Sequence, residues 1–178
     1  MKGLLFLAIP LFLLSACSPT LTSFTKEIYN DNNWTEDELR QIQFYLSEDI
    51  VLTRQRKGAR SVIEDGAITM EKGKEVDEIV IPKGTPGVFL FSPKKERMAI
   101  SFEEGNEKRF LMFGPNPKMG DRFVLLASEW DKKRGKVKYD DSYYWVASDD
   151  AFAGLMVDLK SINKVKVKTQ VASGNKVN

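Results

Sequence analysis

From residue 49 onward the chain is broken by turn chemistry every 8–12 residues or so, a rhythm that leaves room for short strands and little else. The runs DIVLTRQR, ARSVIE, AITME, EVDEIVI, GVFLFS, RMAISFE, KRFLMF, RFVLLAS, KVKYD, SYYWVAS and INKVKVKTQV lean on valine, isoleucine, phenylalanine and tyrosine. Such residues fit a pleated, half-buried surface. Asp65-Gly66 is a two-residue hairpin signal, and Thr85-Pro86-Gly87-Val88 has proline and glycine placed for a type II turn. The spacing predicts a mainly β fold, an antiparallel meander forming a barrel or a sandwich. DDAFAGLMVDLKSI is ambiguous, because Phe152, Leu155, Met156 and Leu159 also fit a short helix. Phe89-Leu90-Phe91-Ser92-Pro93 is echoed by Leu111-Met112-Phe113-Gly114-Pro115, as two similar hairpins would be.

One α-helix is predicted ahead of the strands, over about 36–46. Thr35 and Glu38 have the spacing of a capping box, and Trp34 and Leu39 that of a hydrophobic staple. Glu36 and Asp37 fall where the helix dipole favours acid. Leu39, Ile42, Tyr45 and Leu46 then share one helical face. The single globular domain is expected over 34–170, with a fraying tail at 171–178.

The first seventeen residues, MKGLLFLAIPLFLLSAC, place Lys2 before an apolar run from Leu4 to Leu14. That run is shorter than the roughly 20 residues a bilayer span requires, and it fits the core of a secretory signal. It ends in Leu14-Ser15-Ala16-Cys17, which resembles the lipobox of bacterial lipoproteins. The resemblance covers the first eighteen residues. It implies cleavage after residue 16, with Leu14, Ser15 and Ala16 read by the signal peptidase and Cys17 lipidated. It implies a membrane anchor, and Ser18, where aspartate would mark the inner membrane, implies the periplasmic face of the outer membrane. Residues 17–33 are then the lipidated cysteine and a tether, within which Phe24, Ile28 and Tyr29 are able to dock on the domain.

Composition narrows the chemistry further. The chain has 27 basic and 25 acidic residues, and losing Lys2 with the leader leaves it near neutral. Nothing in that balance favours nucleic acid. With no histidine and Cys17 as the single cysteine, triad nucleophiles, zinc sites of His and Cys, and an intrachain disulfide are excluded. No cofactor or metal is predicted. The carboxylate pairs Glu103-Glu104, Asp140-Asp141 and Asp149-Asp150 lie at turns or strand ends and read as solvated. Gly114 to Gly120 lacks phosphate-loop spacing and reads as a rigid loop. The basic runs Lys132-Lys133-Arg134 and Lys164 to Lys168 read as a solvated loop and a lysine-guarded edge strand. Both also suit anionic headgroups.

Aromatics are the remaining candidates for contact: Trp130, Tyr143, Tyr144 and Trp145. Strand alternation puts Tyr143 and Trp145 on one face and Tyr144 on the other. The favoured function is a lipid-anchored, non-catalytic binding or scaffold protein that holds an envelope protein. It calls for an exposed apolar patch and no deep cleft. A lipid- or glycan-binding β-barrel module is the alternative and calls for an apolar pocket of about 300–1,000 Å³. A carboxylate-dependent cell-wall glycan hydrolase is the third, requiring two carboxyls about 5–9 Å apart across a cleft.

Overall fold

Buried and exposed side chains alternate along most strands, and this period of two decides which faces meet. The structure, a computed structural model, describes residues 20–57, 60–64, 67–71, 74–105 and 108–162. Leu14, Ser15, Ala16, Cys17 and Ser18 lie outside the described residues, as do the lysine run from Lys164 and the tail at 171–178. The chain enters through β1 (Leu21–Ser23), α1 (Lys26–Asn32) and α2 (Glu36–Leu39). Then come β2 (Gln43–Leu46), β3 (Ile50–Lys57), β4 (Arg60–Glu64), β5 (Ala67–Glu71) and β6 (Lys74–Ile81). After these stand β7 (Pro86–Lys94), β8 (Arg97–Ser101), β9 (Leu111–Asn116) and β10 (Arg122–Leu125). The last elements are β11 (Glu129–Asp131), β12 (Arg134–Tyr139), β13 (Ser142–Ala147), β14 (Leu155–Asp158) and α3 (Leu159–Ile162).

The strands form two antiparallel sheets and a hairpin. Sheet A has the order β1-β14-β2-β7-β8-β9-β10, and sheet B the order β11-β12-β13-β3-β6. Within sheet A, β7 to β10 are a meander of two successive hairpins, which accounts for the echo between the Phe89 and Leu111 segments. The β4–β5 hairpin continues the register of β3–β6: Lys57 faces Lys74, Arg60 faces Glu71 and Glu64 faces Ala67. These four strands keep one register as a ribbon, which reverses between Glu64 and Ala67. Both sheets supply one apolar core, with Phe44, Leu46, Phe89, Ile100, Phe113 and Phe123 from sheet A and Ile50, Leu52, Val137 and Val146 from sheet B.

Phe24, which follows β1, links β14 to the outer strand β10 of sheet A. Its N–H donates to Leu155 O at 2.8 Å, and its carbonyl accepts from Phe123 N at 2.9 Å. Thr25 bridges Arg122, and Gly154 bridges Val124. These contacts are local, and among the described residues no continuous ladder closes the sheet into a barrel. The Phe24 side chain is fully buried, its ring 4.9 Å from that of Phe123, 5.3 Å from Phe44 and stacked at 6.2 Å on Trp34. Residues 21–33 are therefore part of the fold and not a tether, and the domain starts at Leu21 instead of residue 34. The Thr25 hydroxyl caps α1 by accepting from Ile28 N.

Two further expectations are corrected and one ambiguity is resolved. The helix over 36–46 ends at Leu39, and Gln43–Leu46 are strand β2. The Thr35–Glu38 capping box forms as expected. Beyond it, Phe44 and Leu46 are buried while Gln43 is exposed, and β14 and β7 take the main-chain hydrogen bonds on either side. Apolar spacing over so few residues fits both periods, and the sheet partners decide between them. The ambiguous segment divides: Asp150–Phe152 is a 3-10 turn, Leu155–Asp158 is strand β14 and Leu159–Ile162 is the helical turn α3. The turn expected at Thr85-Pro86-Gly87-Val88 sits earlier, at Pro82–Thr85, where Gly84 takes φ +78° and Thr85 N donates to Pro82 O. Gly87 lies inside β7 for lack of room, since a Cβ there would fall 2.7 Å from the Phe102 ring.

Replacing Phe24 with alanine empties a site walled by four aromatic rings and loosens the join between the sheet edges. We expect a loss of about 3–5 kcal/mol in urea unfolding. A change below about 1 kcal/mol would show that the N-terminal segment is not part of the core.

Candidate functional site

Sheet B turns one face to the core and the other to solvent, and β12, β13 and β3 compose the outer one. Tyr144 and Val146 of β13 point inward with Val137 and Tyr139 of β12. Tyr143 and Trp145 point outward, Tyr143 being 55% exposed. The alternation read from the sequence is correct, and it removes Tyr144, 7% exposed, from the contact candidates: its ring belongs to the core.

Cross-strand register places Lys138 opposite Tyr143 and Lys136 opposite Trp145. The Lys136 ammonium stands 5.0 Å from the Tyr143 ring centroid, and the Arg134 guanidinium stands 4.8 Å from that of Trp145. Glu129 and Asp131 of β11 pair with Lys136 at 3.1 Å and Arg134 at 3.0 Å. Each cation is thus held between a ring and a carboxylate, at about 0.5–1 kcal/mol per exposed cation–π contact. Thr53, opposite Trp145, and the exposed Val80 extend the face across β3 and β6. It is a sheet surface that mixes apolar rings with paired charges.

Trp130 lies elsewhere. Alternation along β11 sends it to the opposite side from Glu129 and Asp131, where its ring covers Gly135. A Cβ on Gly135 would fall 3.1 Å from that ring and 2.8 Å from the Ala127 Cβ, which is why this strand carries a glycine. Trp130 and Phe152, both about half exposed, rim an apolar groove of about 380 Å³ with Pro115, Pro117 and Leu126.

A larger open groove of about 670 Å³ lies away from the aromatic face, lined by Gln43, Pro86, Val88, Leu90, Phe102 and Glu103 among others. Glu103 is not the solvated turn residue expected. Tyr139 donates its hydroxyl to Glu103 Oε1 at 2.5 Å, and Arg109 donates to Oε2 at 2.6 Å. Arg109 also meets Asp140 at 3.5 Å, and Lys108 meets Asp141 at 3.3 Å. The network ties the loop after β8, in sheet A, to the β12–β13 turn, in sheet B. The Tyr139 hydroxyl and then Arg109 hold the Glu103 carboxyl below the usual carboxylate range, against the opposing effect of burial. Burial, then the Glu103 hydrogen bond, pushes the Tyr139 hydroxyl far above the ordinary tyrosine range. No local pattern marks this cluster, because Glu103 and Tyr139 are 36 residues apart.

A second polar cluster stands where the ribbon leaves the body. Arg54 donates to Asp77 Oδ2 at 2.7 and 3.2 Å and to the Ser142 hydroxyl, and its guanidinium lies 5.0 Å from the Tyr144 ring centroid. Among the described residues no three histidine, cysteine, aspartate or glutamate side chains gather as metal ligands would, and no helix is long and apolar enough to cross a membrane. Comparison with family models, with curated proteins and with solved structures finds no match for this chain.

A carboxylate whose pKa is depressed by folding stabilises above its unfolded value, about 4.3 for glutamate, and loses that contribution as pH falls through the folded value. The stability gap between wild type and Glu103→Gln is therefore expected to be widest above about pH 5 and to narrow on acidification. Urea midpoints across that range measure it. A gap independent of pH would show that the Glu103 charge does not hold the sheets together.

Proposed function

We propose that this chain is a lipid-anchored, non-catalytic binding protein of the cell envelope, held by Cys17 at the periplasmic face of the outer membrane. The observation that carries the binding role is the outer face of sheet B. Tyr143 and Trp145 stand beside fixed cations on a surface that needs no rearrangement to be used. Aromatic residues and arginine are enriched where proteins meet, and a pre-ordered face loses little entropy on contact. The occupant we assign is an envelope protein. The anchor rests on Leu14-Ser15-Ala16-Cys17, and the outer membrane on Ser18. We read the two sheets sharing one core as a sandwich.

Glu103 does not fit the general acid of a glycan hydrolase. A glycan hydrolase needs one carboxyl that keeps its proton near neutral pH. Glu103 is the most engaged carboxylate lining the larger groove, and its hydrogen bonds hold it ionised. Uptake of a small ligand is the second reading, favoured by the size of that groove.

Two measurements test the proposal. A photo-crosslinking residue at Tyr143 is expected to give a discrete adduct in cells, while the same residue at Lys118, in the turn before β10, gives none. Equal labelling at both positions would remove the aromatic face as the binding surface. Cys17→Ser is expected to abolish fatty-acid labelling and pelleting with membranes. Unchanged labelling in that variant would remove the anchor.

A further inference from the structure

Between α1, α2 and the turn that joins β7 to β8 lies a recess of about 430 Å³, a size that suits a small molecule. Its described lining residues all lie outside sheet B, so a site there requires neither the aromatic face nor the anchor. Tyr29 and Trp34 give it an aromatic wall. Both rings pack against the core, Trp34 stacked at 6.2 Å on Phe24 and Tyr29 at 5.6 Å from Phe123. Asn30 and Asn33 line the side of α1, and Ser92 and Lys95 line the side of β7.

The Glu36 carboxylate ties the two sides together. Its Oε1 accepts from Ser92 N at 3.1 Å and its Oε2 from Arg40 at 3.3 Å, while Arg40 also donates to Leu90 O at 3.2 Å. The walls are thus set before a ligand arrives, which keeps the ordering cost of binding low. Ser92 brings a second observation. Its Oγ is buried and has no hydrogen-bond partner among the described residues. An unpaired buried hydroxyl is unfavourable and calls for an explanation. One rotatable bond moves it between staggered positions, and a ligand group beside it would supply the missing partner.

The walls also select the chemistry. Glu36 and Lys95 are the charged residues lining the recess, one of each sign, and Arg40 is matched by Glu36 and by Asp37 at 2.7 Å. Neither an anion nor a cation is favoured by such a balance. The rings offer apolar surface, and the two amides and the hydroxyl each both donate and accept. A sugar presents the complement: apolar C–H faces, hydroxyls that donate and accept, and no net charge. We infer that this recess binds a neutral saccharide, with Trp34 and Tyr29 against its C–H face and Asn30, Asn33 and Ser92 on its hydroxyls.

The test titrates the isotope-labelled, full mature chain with chitotriose or maltotriose through the millimolar range and follows amide shifts by NMR. We expect saturable shifts at the Asn33 and Ser92 amides and at the Trp34 indole N–H, none at Tyr143 or Trp145, and none at the recess with inorganic phosphate or spermine. Asn33→Gly keeps the left-handed backbone that Asn33 adopts at φ +46° and removes the amide, while Ser92→Ala removes the unpaired hydroxyl. Each is expected to weaken binding about fivefold, as loss of one hydrogen bond does. Ser92→Ala is expected to leave the urea midpoint no lower, because the hydroxyl bonds to nothing within the described fold. No saturable shift with either saccharide, or binding equally strong in both variants, would overturn the inference. Phosphate or spermine binding there in place of the saccharides would do the same. A lower urea midpoint in Ser92→Ala would mean that the hydroxyl serves the fold, and would overturn its part in the site.

Discussion

One backbone position, Phe24, holds two edges of a sheet together. Its N–H bonds to β14, its carbonyl accepts from β10, and its ring fills the space between Phe44, Phe123 and Trp34. An open seven-stranded sheet exposes unpaired main-chain groups along both outer strands, which invites pairing with other chains. Joining those strands through Phe24, Thr25 and Gly154 satisfies several of the groups inside the molecule. The N-terminal segment is therefore structural, and it sets the distance between the fold and the residues that precede Leu21.

That constraint shapes the proposed function. A domain tethered by sixteen free residues would range about 20–25 Å from its anchor. With Leu21 already in a strand, only Ser18, Pro19 and Thr20 lie between the fold and Cys17, so the proposed anchor would hold the domain against the surface. The Glu103–Tyr139–Arg109 network couples the two sheets at one end, and Arg54 couples β3, β6 and β13 where the ribbon departs. Both clusters join strands of the sheet whose outer face carries Tyr143 and Trp145 to their neighbours. Binding on that face thus draws on an ordered surface.

Much of this was legible in residues that act locally. Thr35 and Glu38 announce their capping box, and Tyr143 to Trp145 announce their two faces. The failures share a cause. Gln43–Leu46 is a strand because β14 and β7 flank it, and β1 exists because β14 offers it an edge. Those partners are more than forty residues away in sequence, and no local period encodes them. The site shows the same division. The outward aromatics could be read from alternation along β13, whereas Glu103, Tyr139 and Arg109 are brought together only by the packing of two sheets. Trp130 looked equivalent to Tyr143 by composition, yet alternation along β11 turns it to the other side of the sheet.

Amide hydrogen exchange over residues 21–26 and 121–125 of the mature chain bears most directly on the central claim that the N-terminal segment is built into sheet A. The amides of Phe24 and Phe123 are predicted to exchange as slowly as those in the middle of β8 and β9, because opening them requires the sheet edges to part. Exchange at the rate of a free peptide at Phe24, with Phe123 protected, would mean that the segment is a tether after all.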